Sequence, residues 1–145
     1  MNLGMIGAGI VMGIAAMGSA IGIGIAGQGA IGAWKRCYLN NKPAPFLLVV
    51  FAGAPLTQTI YGFLLMNFIR SAFASDPTRG LLYLFTGLLG GVAIGMSALF
   101  QGKVAASSAD ALGETGKGTA NFFIVIGIIE TVALFTLVFC LLLLQ

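Results

Sequence analysis

Residues Phe122 to Leu144 read FFIVIGIIETVALFTLVFCLLLL, an apolar run long enough to cross a lipid bilayer as a helix. A single carboxylate, Glu130, lies near the middle of this run. An ionisable side chain at bilayer depth costs at least ~2.5 kcal/mol, so such a residue usually serves a function. The run therefore predicts a membrane-spanning helix and makes Glu130 a candidate functional residue.

The composition of the whole chain agrees with an integral membrane protein. Of its 145 residues, 59% are hydrophobic and 8% are charged, and the mean hydropathy is +1.04, far outside the range of a soluble domain. In the bilayer only helices and closed barrels satisfy the hydrogen bonds of all backbone N–H and C=O groups. We therefore expect four transmembrane helices, and an even number places both termini on one side. The predicted spans are Met1 to Trp34, Phe46 to Ile69, Leu81 to Gly102 and Thr119 to Gln145.

The charges predict the orientation of these helices. Ten of the eleven lie in or beside three short connectors. The connectors after the first and third spans hold five Lys and Arg residues, whereas the second holds two, so the positive-inside rule places the first and third in the cytoplasm and both termini outside. The five are Lys35, Arg36, Lys42, Lys103 and Lys117, and the two are Arg70 and Arg79. The net charge of +3 reflects this topology and predicts no nucleic-acid binding.

The four spans differ in the size of their side chains. The first holds ten of the 22 glycines and the third is also glycine-rich, whereas the second and fourth are rich in phenylalanine. Small residues at four-residue steps, such as Gly9/Gly13 and Gly18/Gly22, let helices approach closely in lipid. We therefore predict that the first and third spans pack together on the inside of a layered assembly, with the second and fourth outside.

The chain also contains an internal repeat. A shift of 73 residues aligns the first span with the third, and a shift of 72 places Gln58-Thr59-Ile60 on Glu130-Thr131-Val132. The chain is therefore predicted to consist of two related hairpins, residues 1–72 without a carboxylate and residues 73–145 with one.

The difference between the halves indicates a site. Where the second hairpin has Glu130, the first has Gln58, an amide of the same shape that cannot titrate. Thr57, Gln58 and Tyr61 share a helix face within about one turn. Pro55 lacks an amide hydrogen and so frees a preceding carbonyl. One half of the chain thus holds the charge, and the other half can supply uncharged ligands.

The third span contributes Gln101, which lies as far from the turn-like segment GETGKG as Glu130 does. We expect these two side chains to face each other. A carboxylate, two amide oxygens, a hydroxyl and a freed carbonyl form an all-oxygen set that suits a hard cation such as Na⁺. A plain proton carrier would need only the carboxylate, so Na⁺ is favoured and H⁺ is the alternative.

Enzymatic chemistry is not indicated. Gly22 to Gly27 fits G-x-G-x-x-G, but this segment lies inside a transmembrane run with no preceding strand, which favours helix packing. The chain has no histidine and no pair of transition-metal-like ligands. We predict a non-catalytic transport component.

Three motifs together point to a family. The patterns A-P-x-T-Q-x-x-Y-G from Ala54, F-Q-G-K-V-A-A from Phe100 and I-E-T from Ile129 closely resemble the proteolipid (K or c) subunit of V-type ATPases, especially the sodium-pumping bacterial kind. The resemblance covers essentially the whole chain. It implies an all-α subunit that joins identical copies in a membrane rotor ring.

The resemblance also implies roles for individual residues. The familiar pattern has Leu before the proline and Gly after it, where this chain has Ala54 and Leu56. The implied set is Glu130 as the ion-binding carboxylate, Gln101, Thr57 and Gln58 as side-chain ligands, Ala54 as the backbone-carbonyl ligand, and Tyr61 as the hydrogen-bond donor that locks Glu130.

The implied partners are identical copies of the chain, a stator membrane subunit that supplies an arginine, the central-stalk subunit of a soluble ATPase head, and lipid. In that setting each chain would carry one cation past the stator in the cell membrane. Two other interpretations stay open: a self-contained small cation transporter or channel, and a purely structural protein with four membrane spans.

Overall fold

The computed structural model describes residues 2–145, which are helical over most of their length. Four helical units are long and apolar enough to cross a membrane, as the predicted all-α membrane fold requires. The second unit is composite, because a short 3₁₀ turn joins two α-helices. The elements are α1 (Leu3–Leu39), α2 (Leu48–Gly53), a 3₁₀ turn (Ala54–Leu56), α3 (Thr57–Ser75), a second 3₁₀ turn (Pro77–Arg79), α4 (Gly80–Thr115) and α5 (Thr119–Leu144).

Three helical units are longer than the apolar runs that predicted them. α1 continues to Leu39, α3 continues past Ile69 to Ser75, and α4 continues past Gly102 to Thr115. Four basic residues assigned to connectors therefore lie within helices, and that part of the prediction is wrong for Lys35, Arg36, Arg70 and Lys103. Only residues 116–118 separate α4 from α5. Hydropathy reports which residues suit lipid, whereas α4 also packs against α1 beyond the apolar run, where Ala105, Ala109 and Leu112 are buried.

The glycine-rich helices α1 and α4 pack against each other as predicted. A Cβ atom built at Gly18 would overlap the backbone of Gly95, and one at Gly102 would overlap the backbone of Gly22. These contacts bring the two helix backbones together, which is how small residues stabilise helix pairs in lipid. Gly9 differs, because a Cβ there would meet nothing within 4 Å. Its predicted role in packing is therefore not found within the chain.

The helices run alternately up and down, so the chain has two distinct ends. At one end, which we call the Arg36 end, Arg36 of α1 forms ion pairs with Asp110 and Glu114 of α4 at 2.6 and 3.3 Å. At the other, the Arg79 end, the Arg79 guanidinium donates to the Leu143 carbonyl of α5 at 3.2 Å. The Arg36 pairs are exposed and each contributes at most about 1 kcal/mol.

α5 lies at the edge of the bundle, where it contacts α3 and α4. Its bulky residues face outward, among them Ile128, Phe135 and Phe139, which are each about 60% exposed. α3 likewise exposes Phe63 and Phe68. The prediction of a lean inner pair and a bulky outer pair therefore agrees with the packing within one chain.

Candidate functional site: a carboxylate held by three helices

The composite second span provides one wall of the site. Because Pro55 has no amide hydrogen, it cannot continue the α-helical hydrogen-bond ladder, and the chain passes through the 3₁₀ turn Ala54–Leu56 before α3 begins. Pro55 is buried against α1, where a Cβ atom on Gly22 would lie 2.9 Å from the Pro55 Cβ. A glycine on α1 thus lets the turn approach, and the turn places the first residues of α3 beside the bundle interior.

Thr57, the first residue of α3, links this turn to the interior. Its hydroxyl oxygen lies 3.2 Å from the Ala54 carbonyl oxygen and 3.2 Å from Oε1 of Gln58. A hydroxyl donates only one hydrogen, so it can donate to one of these two acceptors at a time. The Ala54 carbonyl oxygen therefore lies close to the side chains of Thr57 and Gln58.

Two amides occupy the centre of the bundle. Gln58 of α3 and Gln101 of α4 are both 0% exposed, and Nε2 of Gln58 donates to Oε1 of Gln101 at 2.8 Å. Nε2 of Gln101 donates in turn to the Ile126 carbonyl of α5 at 3.1 Å. A buried amide left without partners would cost roughly 1–3 kcal/mol, so each glutamine depends on the other.

Glu130 of α5 completes the network. Its Oε1 accepts from the Tyr61 hydroxyl of α3 at 2.7 Å, and its Oε2 lies 3.4 Å from Nε2 of Gln101. The carboxylate therefore has one donor from each of the two helices that flank α5. Within residues 2–145 it has no cationic partner, because both ion pairs there involve Arg36.

Lys103 is the basic residue nearest to this layer in sequence, two positions after Gln101. Its side chain is exposed, and its Nζ lies over the Phe100 ring at 5.0 Å from the ring centre. Lysine side chains on a helix commonly extend along an apolar surface in this way. The positive charge is therefore held by an aromatic face on the outside of α4 and forms no ion pair with Glu130.

A cavity of about 390 Å³ opens beside Glu130, between the composite span and α5. Gly53 and Gly127 line it, and a Cβ at either would meet nothing within 4 Å. Thr57 and Ala54 lie in the same wall. The residues that carry the carboxylate, the hydroxyl and the backbone carbonyl therefore line one cavity.

All six residues singled out from the sequence thus lie in one hydrogen-bonded network. They are Ala54, Thr57, Gln58, Tyr61, Gln101 and Glu130. Sequence reasoning missed Ser97, whose hydroxyl donates to the Ile129 carbonyl at 2.8 Å and so fixes α5 beside Glu130. The signal was its position four residues before Gln101, on the same face of α4.

The fold and the site define a class of membrane protein: two helical hairpins with one intramembrane carboxylate held by hydroxyl and amide groups. Comparison with known proteins then shows what the chain is similar to. Residues 84–143 match the family of ATP synthase C subunits. The chain is 36% identical over 145 residues to the A-type ATP synthase subunit K of Methanocaldococcus jannaschii.

That alignment covers 98% of this chain and 61% of the relative, so the chain spans about three fifths of the relative's length. Together the two comparisons confirm the resemblance to V-type ATPase proteolipid subunits that the motifs indicated. The family match contains Gln101 and Glu130, whereas the α3 residues of the network lie before it.

Proposed function

We propose that this chain is a non-catalytic rotor-ring subunit of a V-type ATPase that binds one cation at Glu130 and carries it past a stator subunit. The movement is coupled to ATP hydrolysis or synthesis in a soluble head. The observation that carries this proposal is the carboxylate itself, which is held by Tyr61 and Gln101 without a cationic partner in the described chain. A negative charge in that position calls for a cation that can come and go.

The oxygen atoms around the cavity favour Na⁺ over H⁺ as the cargo. Hard cations take oxygen ligands, and the cavity is lined by Glu130, Thr57 and Ala54, which carry a carboxylate, a hydroxyl and a backbone carbonyl. Oε1 of Gln58 lies next to the same hydroxyl. A site that carried only a proton would not need this set.

Gln101 changes its role between the empty and loaded states in this proposal. In the structure its nitrogen faces Glu130 and its oxygen accepts from Gln58. A half turn of both amides would preserve the bond between them with donor and acceptor exchanged, and would present the Gln101 oxygen to a cation beside the carboxylate. The same turn would move Oε1 of Gln58 from the Thr57 hydroxyl to Nε2 of Gln101, so in the loaded state Gln101 supplies the amide oxygen. Loading would then cost the hydrogen bond from Gln101 to the Ile126 carbonyl.

Neutralisation of Glu130 couples binding to rotation. An ionised carboxylate is expensive to expose to lipid, so the ring can turn that position through the membrane only when a cation is bound. Next to a stator arginine the ionised form is favoured instead, and the cation leaves. One carboxylate per chain then gives one cation per chain past the stator.

Carbodiimide labelling of the purified assembly tests the proposal. The reagent modifies a protonated carboxyl in an apolar setting, so we expect it to label Glu130 and expect Na⁺ near neutral pH to protect that residue. The variant E130Q should show no labelling at this position. Equal labelling of Glu130 with and without Na⁺ would contradict sodium binding at this site, and protons would then be the transported ion.

A self-contained small cation transporter or channel is the alternative, and the cavity beside Glu130 favours it because one chain alone provides access to the carboxylate. Particle size separates the two functions. A rotor subunit purifies as a ring of many copies and moves no cation in vesicles without its partners. A transporter purifies as a monomer or dimer and supports flux alone.

A further inference from the structure

A second cavity lies away from the ion site, at the Arg79 end. It measures about 490 Å³ and lies between the ends of α3 and α5, close to the second 3₁₀ turn. Its wall changes from apolar to polar toward the helix ends. The residues that matter here are Phe68, Leu141 and Leu144 on the apolar side, and Ser75, Asp76 and Arg79 on the polar side.

Two opposite charges line this cavity without pairing with each other. Among residues 2–145 both ion pairs belong to Arg36, so Arg79 and Asp76 lie too far apart for one. Arg79 uses Nη2 to donate to the Leu143 carbonyl, which leaves further guanidinium hydrogens free, since arginine has five. The cavity therefore presents a cation and an anion side by side.

Hydrogen bonds from Thr78 stabilise the charged form of the Asp76 carboxyl. Its Oδ1 accepts from the Thr78 hydroxyl at 2.5 Å and from the Thr78 backbone N–H at 3.0 Å, whereas Oδ2 has no hydrogen bond from residues 2–145. The hydrogen bond from the Thr78 hydroxyl, followed by that from the backbone, holds the pKa of the Asp76 carboxyl below its usual value. The carboxylate is therefore charged at neutral pH and has a free oxygen.

The polar wall of the cavity lies at the turn between two membrane-spanning helices. α3 ends at Ser75 and α4 begins at Gly80, so we expect this wall at the depth of lipid headgroups. Phe68 and Leu141 extend the surface toward the membrane interior with side chains suited to acyl chains. Its volume lies within the range of small-ligand pockets, roughly 300–1,000 Å³.

We propose that this cavity is a binding site for an amino-phospholipid, with the lipid phosphate on Arg79 and the lipid ammonium on Asp76. Charge complementarity selects this occupant. Asp76 repels an anionic headgroup that lacks an amine, and a quaternary ammonium offers no N–H donor to the free carboxylate oxygen. Phe68 and Leu141 distinguish a lipid from inorganic phosphate, which has no acyl chain to place there.

Native mass spectrometry of the intact assembly tests this site after reconstitution with equimolar phosphatidylethanolamine and phosphatidylglycerol. We expect phosphatidylethanolamine to be retained in preference. The variant R79Q should lose about tenfold in retention, the value of one charge-assisted hydrogen bond. R70Q is the matched control, because Arg70 is an exposed arginine of α3 outside the cavity wall.

D76N gives a second, independent measurement. Its side-chain oxygen can still accept from Thr78, so the turn is kept while the charge is lost, and the preference for phosphatidylethanolamine over phosphatidylglycerol should disappear. Equal retention of the two lipids by the unmodified protein would overturn the proposal. So would equal losses in R79Q and R70Q, or displacement of the lipid by inorganic phosphate alone.

The lipid site and the ion site can fail separately. R79Q leaves the Glu130 network untouched, so Na⁺ protection against carbodiimide should be unchanged in that variant. If a variant loses its preference for phosphatidylethanolamine while Na⁺ still protects Glu130, the change affects the lipid site at the Arg79 end and leaves the ion site unaffected.

Discussion

The two hairpins share a sequence repeat, yet residues at equivalent positions differ in chemistry and in burial. Gln58 in the first corresponds to Glu130 in the second, and both lie within one network. Gln28 corresponds to Gln101, yet Gln28 is exposed whereas Gln101 is fully buried. The first hairpin therefore has no site of its own.

What the first hairpin contributes is the neutral side of the site in the second. α3 supplies Gln58 to Gln101 and Tyr61 to Glu130, so side chains from both halves converge on one carboxylate. In this repeat one hairpin keeps its carboxylate and the other has an amide at the equivalent position. The four helices therefore contain one such carboxylate where a symmetric repeat would contain two. The repeat retains the hydrogen-bonding groups that hold the remaining carboxylate.

Making the two halves alike should have the largest effect. E130Q places an amide at both equivalent positions and removes the only group in the network that carries a charge. We expect ATP-driven sodium uptake into vesicles containing the whole complex to fall to background, while the ring still assembles. Q28E is the counterpart, since it adds a carboxylate to an exposed position of the first hairpin, and it should restore nothing when combined with E130Q.

Persistent sodium uptake by E130Q at the unmodified rate would show that Glu130 is a packing residue. The third interpretation from the sequence, a purely structural membrane protein, would then account for the chain best.

The equivalent glutamines allow a second comparison. Q101A removes a fully buried amide and leaves Gln58 without its acceptor, so it should lower the free energy of unfolding by roughly 1–3 kcal/mol and weaken Na⁺ protection of Glu130 at least tenfold. Q28A, at the exposed repeat position, should stay within about 0.5 kcal/mol. Thermal unfolding in detergent and a sodium titration of carbodiimide labelling measure the two effects. Similar losses in both variants would contradict the assignment of the site to the second hairpin.

The sequence predicted the parts of this arrangement that follow from local chemistry. A lone carboxylate in an apolar run indicated Glu130, and equal distances from one turn indicated that Gln101 faces it, as their 3.4 Å contact bears out. The same symmetry applied to the first hairpin would place Gln28 against Gln58. It fails because Gln28 lies on an exposed face of α1, whereas Gln58 is paired with Gln101 of α4.

Two further features lay beyond the sequence because they depend on tertiary packing. The glycine pairs Gly9/Gly13 and Gly18/Gly22 have identical spacing, yet only the second faces α4. Spacing defines a helix face, whereas the identity of its neighbour depends on how every helix is rotated about its axis. The extension of α4 to Thr115 was missed for a related reason, because contacts with α1 such as the Arg36 pair to Asp110 support it outside the apolar run.

The glycine pairs provide a third, smaller test. In G18A the new methyl group would overlap the Gly95 backbone, so α1 and α4 must separate at a cost of roughly 1–3 kcal/mol, as for other overpacked sites. G9A adds the same methyl group where nothing lies within 4 Å. Thermal unfolding of the chain in detergent should show a loss for G18A and none for G9A.

Equal unfolding temperatures for the two glycine variants would mean that α1 meets α4 through a different face from the one described.

The smallest expected effect concerns the hydrogen bond from the Tyr61 hydroxyl to the Glu130 carboxylate. Y61F removes the hydroxyl that donates to Oε1 of Glu130 at 2.7 Å and leaves the ring in place. A hydrogen bond to a charged group contributes about 1.5–3 kcal/mol, but in the cation-loaded site the ion shares the carboxylate's charge, so we expect only about threefold to tenfold weaker Na⁺ protection. The first hairpin supplies this hydroxyl across to the second, so the loss measures the coupling between the two halves. If Y61F leaves Na⁺ protection of Glu130 unchanged while Q101A weakens it, then α4 alone holds the carboxylate. In that case α3 contributes only the amide of Gln58.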